Sequence, residues 1–295
     1  MKNIIGLDIG GTNLRIGLVR GDVVERGATF STHETLTNGD EIALLAGVIR
    51  DFCGDETADA VSIGFPSPIS ADGKVVLNAP NIINRDGSRA FKGKNVADPL
   101  AQALGLPVLL GKDANHLLCY DAHVAGAAGT LVGCYIGTGF GSAVMIDGKF
   151  VKGKHGAAME AGHIPFFRNE RPCNCGKIGC AECYASGRAA KAMLETHYPG
   201  LSFPEVFRDH ADEAPVVELV EAIGVTVATL VNLFDPDMLF LGGGVLSAEF
   251  PRERLREVIL RHTLSPYPRE DLDMRFSAHD AFAGVVGAAL SAKFA

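Results

Sequence analysis

The spacing of apolar and polar residues divides the chain into short strands and amphipathic helices. Over residues 4–31, apolar runs broken by Gly10-Gly11 and Gly21-Asp22 predict β-structure with tight turns. Residues 40–53 (DEIALLAGVIRDFC) place their apolar positions at helical spacing, and 59–65 (DAVSIGF) read as a short buried strand. The stretch 66–93 is rich in Pro, Gly, Asn and Asp and predicts an extended loop region. A helix near 95–105, a strand over 107–111 (PVLLG) and a helix over 113–129, ending on Gly129, follow.

From residue 131 the pattern starts again. LVGCYIGTGFGSAVMIDGKFV resembles GLDIGGTNLRIGLVRGDVV: strand, glycine loop, strand, Gly/Asp turn, strand. We read this as an internal repeat of a hairpin core. Helical stretches at 185–197 and 214–233 come next. FDPDMLFLGGGVL (234–246) is a turn, a buried strand and a glycine loop. A helix over 251–262, a strand over 272–277 and an Ala/Gly-rich helix over 281–294 complete the chain. Strands alternating with helices predict an α/β fold, and the hairpins that open each half predict mixed sheets.

Bulk properties narrow the function classes. A chain of 295 residues, 47% hydrophobic and 21% charged, can bury a sizeable core as one large domain or two lobes. Its net charge of −8, without a basic block, lacks the electrostatic footprint of a nucleic-acid binder, so no nucleic-acid partner is expected. No run of apolar letters reaches the roughly 18 residues of a membrane span, and the N-terminal letters lack the pattern of a signal peptide. A cytoplasmic protein without a membrane partner is expected, and in that compartment its seven cysteines stay mostly reduced.

Three glycine loops carry candidate chemistry. In DIGGTNLR (8–15), Asp8 precedes Gly10-Gly11-Thr12, whose backbone N–H groups and hydroxyl can meet a phosphate, while Asp8 can hold Mg²⁺ through water. A plain hairpin turn fits the same letters. GTGFG (137–141) matches neither a P-loop, since no Gly-Lys-Ser/Thr follows, nor a dinucleotide fingerprint, since SAVMI continues as a strand. LGGGV (241–245) ends a strand and leaves a flat backbone on which a purine can lie, or serves simply as a turn. Asp113, in GKDANH, opens a helix, where it can act as a cap or as a general base toward a substrate hydroxyl.

His163, Cys173, Cys175 and Cys180 form a Cys₃His set with the spacing of a closed structural zinc site. Two other readings are a disulfide clasp, disfavoured in a reducing compartment, and a redox Cys180-Ala181-Glu182-Cys183 motif, which lacks a thioredoxin-like context.

The stretch EAGHIPF…CNCGKIGCAECYASG closely resembles the signature of the ROK family (repressors, open reading frames and kinases). DIGGT, DAN, GTGFG and LGGG match that family in order, across essentially the whole chain. The resemblance implies the two-lobed actin-like, ribonuclease H-like fold of the sugar kinase, actin and heat-shock ATPase superfamily, with mixed sheets. It implies a small lobe over 1–116, onto which a C-terminal helix over 281–295 packs back, and a large lobe over 117–280 carrying the zinc loop.

It also implies an ATP site of Asp8, Gly10, Gly11, Thr12 and Asn13 from the first hairpin. Gly137, Thr138, Gly139 and Gly141 come from the second, and Gly242, Gly243 and Gly244 lie at the adenosine. Asp113 is then the catalytic base, and Asn81, Lys112, Asn115, Glu160, His163 and Glu182 line the sugar. One His163 nitrogen meets the sugar and the other a structural zinc that is no Lewis acid. The implied reaction moves a phosphoryl group from MgATP to the 6-hydroxyl of an aldohexose, D-allose first, with glucose, fructose or an N-acetylhexosamine as alternatives. A homodimer is the usual assembly.

Two departures fall at the sugar pocket and count against glucose: Lys112 where many members carry Asn, and Gly64-Phe65-Pro66-Ser67 where many read G-x-P-G. The rival within the family is a sugar-sensing regulator. Such members carry a helix-turn-helix ahead of the first phosphate loop, for which the position of Asp8 leaves no room.

Overall fold

The computed structural model of the chain describes residues 3–166 and 170–292. The chain forms two compact units. The first comprises Met1–Gly126, Lys149–Ala158 and His279–Ala295, and the second Ala127–Gly148 and Met159–Ala278. The division after Gly126, where the sequence placed it after residue 116, keeps the whole helix that starts at Asp113 in the first unit.

The first unit opens with β1 (Asn3–Ile9), β2 (Asn13–Arg20) and β3 (Val23–Ser31), an antiparallel meander around the two predicted turns. A short helix α1 (Thr32–Leu36) follows. Helix α2 (Glu41–Cys53) starts where Asp40 accepts the backbone N–H groups of Ile42 and Ala43, and stops at Gly54. Next come β4 (Ala60–Phe65), the two-residue strands β5 (Val75–Val76) and β6 (Lys94–Asn95), and α3 (Ala97–Leu104). β7 (Val108–Lys112) then runs directly into α4 (Asp113–Ala125). The predicted helix end at Gly129 is corrected: Gly126 adopts the left-handed conformation first, and its N–H closes on the Ala122 and His123 carbonyls. The sheet order is β3-β2-β1-β4-β7, with β4 and β7 parallel to β1 and β4 respectively.

Alternation along β1 sorts its residues by face. Ile5, Leu7 and Ile9 join the main core with Leu45 and Ile49 of α2 and Leu100 of α3, while Ile4, Gly6 and Asp8 take the opposite face. The C-terminal helix (Ala283–Ser291; α9 in chain order) lies on that second face, against β1, β4 and α4. Of the helix predicted over 281–294, residues 293 and 294 lie outside the described residues.

A row of glycines makes room for this helix. Gly6, Gly17 and Gly27 stand in register across β1, β2 and β3. A Cβ on Gly6 would lie 2.3 Å from the Val285 carbonyl oxygen, and one on Gly27 would lie 2.5 Å from the Phe282 ring. The Gly6 clash is with backbone, which no rotamer relieves. Gly6→Ala is therefore expected to destabilise by about 2 kcal/mol, the usual cost of overpacking, lowering Tm by roughly 4–8 °C. Gly47→Ala in α2 meets nothing within 4 Å. It is expected to stabilise by about 0.5–1 kcal/mol through helix propensity. Thermal melting of both variants checks the contrast.

The second unit repeats the first hairpin. β8 (Thr130–Ile136) pairs antiparallel with β9 (Phe140–Ile146), which ends at the Asp147-Gly148 turn; β10 (Lys149–Phe150), next in the chain, lies in the segment counted with the first unit. Single 3-10 turns at Ala161–His163 and Ala181–Cys183 flank the cysteines. Helices α5 (Gly187–His197), α6 (Phe203–Asp209) and α7 (Ala214–Phe234) lead into β11 (Met238–Gly242), and α8 (Arg252–His262) connects it to β12 (Met274–Phe276). The run β9-β8-β11-β12 has β11 parallel to β8 and β12 parallel to β11. That matches β2-β1-β4-β7 strand for strand, the duplication expected from the sequence. By length and composition α7 could cross a membrane, a stretch that counting consecutive apolar letters passes over. Val216, Leu219, Val220, Ile223, Val227 and Val231 are buried within the unit, and the helix packs against α5, α8 and β8 as a core helix does.

Candidate active site

In the first unit, β1, β4 and β7 run parallel with Asp8 beside Gly64, Gly64 beside Gly111, and Phe65 beside Lys112. Their C-terminal ends therefore share one edge, the edge where open parallel sheets meet ligands. The loop after β1 is closed by the Gly10 N–H donating to the Asn13 carbonyl at 2.8 Å. It is tied down by Thr32, whose hydroxyl donates to the Gly10 carbonyl at 2.8 Å. Gly11 lies against Asn81, where a Cβ would come within 2.9 Å of the Asn81 Cβ. Gly11, Thr12 and Asn81 are exposed.

Asp8 faces Arg15 across the β1–β2 ladder, with carboxylate and guanidinium 3.9 Å apart. Burial pushes the Asp8 carboxyl above the usual carboxylate range, and the charges of Arg15 and His279 pull it back only in part. Gly284, at the start of α9, leaves the space: a Cβ there would lie 2.7 Å from the Asp8 side chain. A carboxylate raised in this way gains from a nearby cation, so Asp8 fits a Mg²⁺-directed role.

Asp113 is the first residue of α4, immediately after β7, so it stands at the same sheet edge as the Gly10–Thr12 loop. With neighbouring strands about 4.8 Å apart, two strand spacings put β7 about 10 Å from β1. The Asp113 carboxylate accepts the Ala114 N–H at 2.7 Å, and the helix N-terminus favours its charge. Lys112, Asp113 and Asn115 are all half-buried. Below them His116 is buried, with Nδ1 lacking a hydrogen-bond partner, and burial lowers its pKa to about 4. Its ring rests over Gly64 and Gly111, where added Cβ atoms would stand 2.9 and 2.2 Å from it.

In the second unit the two remaining glycine loops also share an edge. Gly242 pairs with Tyr135 between β11 and β8, and the Val245 N–H donates to the Ile136 carbonyl at 3.0 Å. Gly243 is obligatory on two counts: its φ is +97°, and a Cβ would lie 2.5 Å from the Ile136 oxygen. Gly242 is buried in the strand and Gly244 is exposed, with open space above it.

The loop between β8 and β9 is fastened by the start of α5. The Gly187 N–H donates to the Gly137 carbonyl at 2.8 Å, and the Arg188 N–H to the Thr138 carbonyl at 3.2 Å. Glu182 closes the same knot. One of its oxygens accepts the Phe140 N–H at 3.0 Å and the other accepts the Arg188 guanidinium.

The Cys₃His set comes together as the spacing predicts. The ligating atoms of His163, Cys173, Cys175 and Cys180 all lie within 4.8 Å of one another. His163 Nδ1 is 3.6 Å from the Cys173 sulfur, and the Cys175 and Cys180 sulfurs are 3.6 Å apart. Tetrahedral zinc with thiolate and imidazole ligands requires donor separations of about 3.6–3.8 Å, so the residues present fit that ion. Backbone ties carry the loop, among them the Ala181 N–H on the Ile164 carbonyl at 3.0 Å, the Phe166 N–H on the Gly179 carbonyl at 2.7 Å, the Gly179 N–H on the Arg171 carbonyl at 2.8 Å and the Cys173 N–H on the Lys177 carbonyl at 2.8 Å. Because Nδ1 turns toward the sulfurs, Nε2 turns toward Glu160, 4.0 Å from its carboxylate. Burial and the neighbouring thiols push Cys180 up to about 12. At Cys175, hydrogen bonds from Lys177 and the adjacent thiols, with the Lys177 charge, outweigh burial and lower it.

The sequence-predicted residues thus gather in two sets. Asp8, Gly10, Gly11, Thr12, Asn13, Asn81, Lys112, Asp113 and Asn115 belong to the first unit. Gly137, Thr138, Gly139, Gly141, Glu160, His163, Glu182, the three cysteines and Gly242–Gly244 belong to the second. Sequence reasoning missed Arg15, Arg188 and Ser142. Buried Ser142 donates to the Met159 carbonyl at 2.8 Å and so braces the turn that carries Glu160. Arg15 had a signal, since a hairpin closed at Gly10–Asn13 sets residue 8 opposite residue 15.

Glucokinase of Thermotoga maritima is 28% identical over 292 residues, covering 90% of this chain and 89% of that protein. N-acetyl-D-glucosamine kinase of Photobacterium profundum is 31% identical over 283 residues, covering 88% and 90%. The crystal structure of a ROK family glucokinase from Streptomyces griseus, in complex with glucose and AMPPNP, superposes with a TM-score of 0.78 at 26% identity, covering 97% of this chain and 98% of that one. The ROK family profile matches residues 4–294, nearly end to end, and the chain is a member of the ROK family.

Proposed function

We propose that the chain is an ATP-dependent hexose kinase that transfers the γ-phosphoryl group of MgATP to the 6-hydroxyl of an aldohexose, D-allose ahead of D-glucose. One observation carries the reading. Asp113 and the Gly10–Thr12 loop stand at the same edge of one sheet, two strand spacings apart, which supports a carboxylate base acting toward a phosphate loop. The glucokinase and N-acetyl-D-glucosamine kinase relatives support the reaction class.

Phosphoryl transfer asks a protein for placement and charge neutralisation more than for covalent chemistry. In this reading the N–H groups of Gly10–Asn13 and Gly137–Gly141 hold the phosphates, and Gly242–Gly244 lie under the adenosine. Asp8 would direct Mg²⁺, which would supply charge neutralisation at the phosphates. Asp113 takes the proton of the attacking hydroxyl. Asn81, Lys112 and Asn115 line the sugar together with Glu160, His163 and Glu182. His163, Cys173, Cys175 and Cys180 would hold zinc, which would fix the loop. With Nδ1 directed to the ion, the His163 proton resides on Nε2, which donates to a sugar hydroxyl or to Glu160. Lys112 puts a cation where an amide would be neutral, which favours a hexose other than glucose. The enzyme is cytoplasmic and homodimeric in this reading.

Initial rates with MgATP across D-allose, D-glucose, D-mannose, D-fructose and N-acetyl-D-glucosamine at equal concentration test it. The expected result is ADP release with at least one hexose, fastest with D-allose, and a product carrying phosphate on carbon 6 by phosphorus NMR. No ADP release with any of the five would overturn the kinase reading. A faster rate with D-glucose would overturn the substrate preference alone.

A further inference from the structure

The reading above gives Glu182 a sugar hydroxyl and the Gly137–Gly141 loop a phosphate, yet the structure shows Glu182 already engaged. Its carboxylate holds the Phe140 N–H on one oxygen and the Arg188 guanidinium on the other. Arg188 is itself anchored at the phosphate loop, through its own N–H on the Thr138 carbonyl. Its side chain is 38% exposed, against 12% for Glu182, so the guanidinium sits at the open side of the pair. A Cβ on Gly139 would lie 2.3 Å from the Glu182 carboxylate, so the acid lies directly on the loop and the cation beside it. The loop itself, GTGFG, contains no Lys or Arg, in a chain of net charge −8.

A guanidinium fork binds a carboxylate or a phosphate equally well in geometry, and the more charged polyphosphate is the stronger partner. We propose that Arg188 is a hand-over residue. It holds Glu182 while the loop is empty, and moves to the polyphosphate of the nucleotide when that arrives. The move releases one Glu182 oxygen to accept a sugar hydroxyl. Nucleotide binding then prepares the sugar seat, and by linkage a sugar bound on Glu182 tightens the nucleotide by the same factor.

This inference rests on the kinase reading, and its test uses MgAMPPNP alone, so that no choice of sugar enters. Titration calorimetry compares wild type, Arg188→Met, Glu182→Gln and the double variant, each checked by thermal melting. Hand-over predicts opposite signs. Arg188→Met loses the phosphate contact and weakens MgAMPPNP about tenfold, the worth of a charge-assisted hydrogen bond. Glu182→Gln keeps an acceptor for the Phe140 N–H but no longer competes for the guanidinium, so it tightens MgAMPPNP about threefold, the scale of a partly exposed ion pair. The double variant matches Arg188→Met, because without the guanidinium the acid has nothing to withhold. Arg188→Lys, which keeps the charge, recovers most of the lost affinity and covers the case in which the Met variant fails to fold.

If the pair is instead a static brace for the loop, both single variants weaken binding, and that result overturns the inference while leaving the kinase reading in place. A Glu182→Gln effect that persists unchanged in the double variant also overturns it. Wild-type protein that binds no MgAMPPNP would fail the kinase reading, and the inference with it.

Discussion

Asp113→Asn is expected to lower kcat about 10³-fold, within the range removed with a general base, with little change in fold. The separation of the two effects comes from where Asp113 sits. As the first residue of α4 it accepts the Ala114 N–H at 2.7 Å, and an Asn carbonyl oxygen can accept the same bond. The helix start is therefore kept, while the group able to take a proton at neutral pH is removed. The loss corresponds to about 4 kcal/mol in the transition state. It is bounded because phosphoryl transfer passes through a loose transition state, in which phosphate placement supplies most of the acceleration. The KM values for hexose and MgATP should move only a few-fold. Steady-state kinetics with D-allose and D-glucose, together with thermal melting, check this. A kcat within tenfold of wild type at an unchanged Tm would reduce Asp113 to a helix cap.

The elements that were legible in the sequence are those whose ends carry punctuation. Helix α2 announced itself because Asp40 caps one end and Gly54 closes the other around a clear apolar period. Helix α4 was drawn to Gly129 because Gly126 and Gly129 can each adopt a left-handed φ, and letters alone do not say which glycine is reached first. Helices α1 and α6 escaped notice because so few turns hold no readable period. The pairing of β5 with β6 lies inside and beside a stretch whose Pro, Gly and Asn content reads as loop. It forms because Val76 and Phe91 are buried together with Phe65. The glycine row under α9 was invisible for another reason: its meaning lies in strand register, which places Gly6, Gly17 and Gly27 side by side.

In the site, the residues whose chemistry is unusual were found and their partners were not. Cysteines at C-x-C-G-x-x-G-C spacing and glycines flanking an Asp stand out against any background. Arg188 does not, since an arginine after a Ser-Gly helix start is ordinary until the Gly137–Gly141 loop is folded onto it. His116 reads as one more residue of a helix, and its place over Gly64 and Gly111 follows only from the pairing of β4 with β7.

Cys180→Ser is expected to abolish stoichiometric zinc binding and to lower kcat/KM for the hexose about 100-fold, the cost of misplacing a positioning group by roughly 1 Å. Cys180 is 1% exposed, and its sulfur lies 3.6 Å from that of Cys175. A hydroxyl there is too hard and too weakly acidic to replace a thiolate toward zinc. Ties that remain include the backbone bonds at Ile164, Phe166, Arg171 and Lys177 and the Lys177 ammonium on the His163 carbonyl at 2.7 Å. Those hold the chain path but leave the His163 ring free to turn about its side-chain bonds, so Nε2 loses its fixed direction beside Glu160. The core of the second unit, built on α7, α8, β8 and β11, should keep its helical circular dichroism. If the ion orients His163, hexose affinity should fall more than MgAMPPNP affinity, since the Gly137–Gly141 loop keeps the backbone ties of Gly187 and Arg188 even where Glu182, two residues from Cys180, shifts. Elemental analysis, hexose kinetics and nucleotide titration of the variant separate these effects. Full turnover in a zinc-free Cys180→Ser protein would remove the metal from any part in orienting His163, and the Cys₃His cluster would then be only a cross-link in the loop.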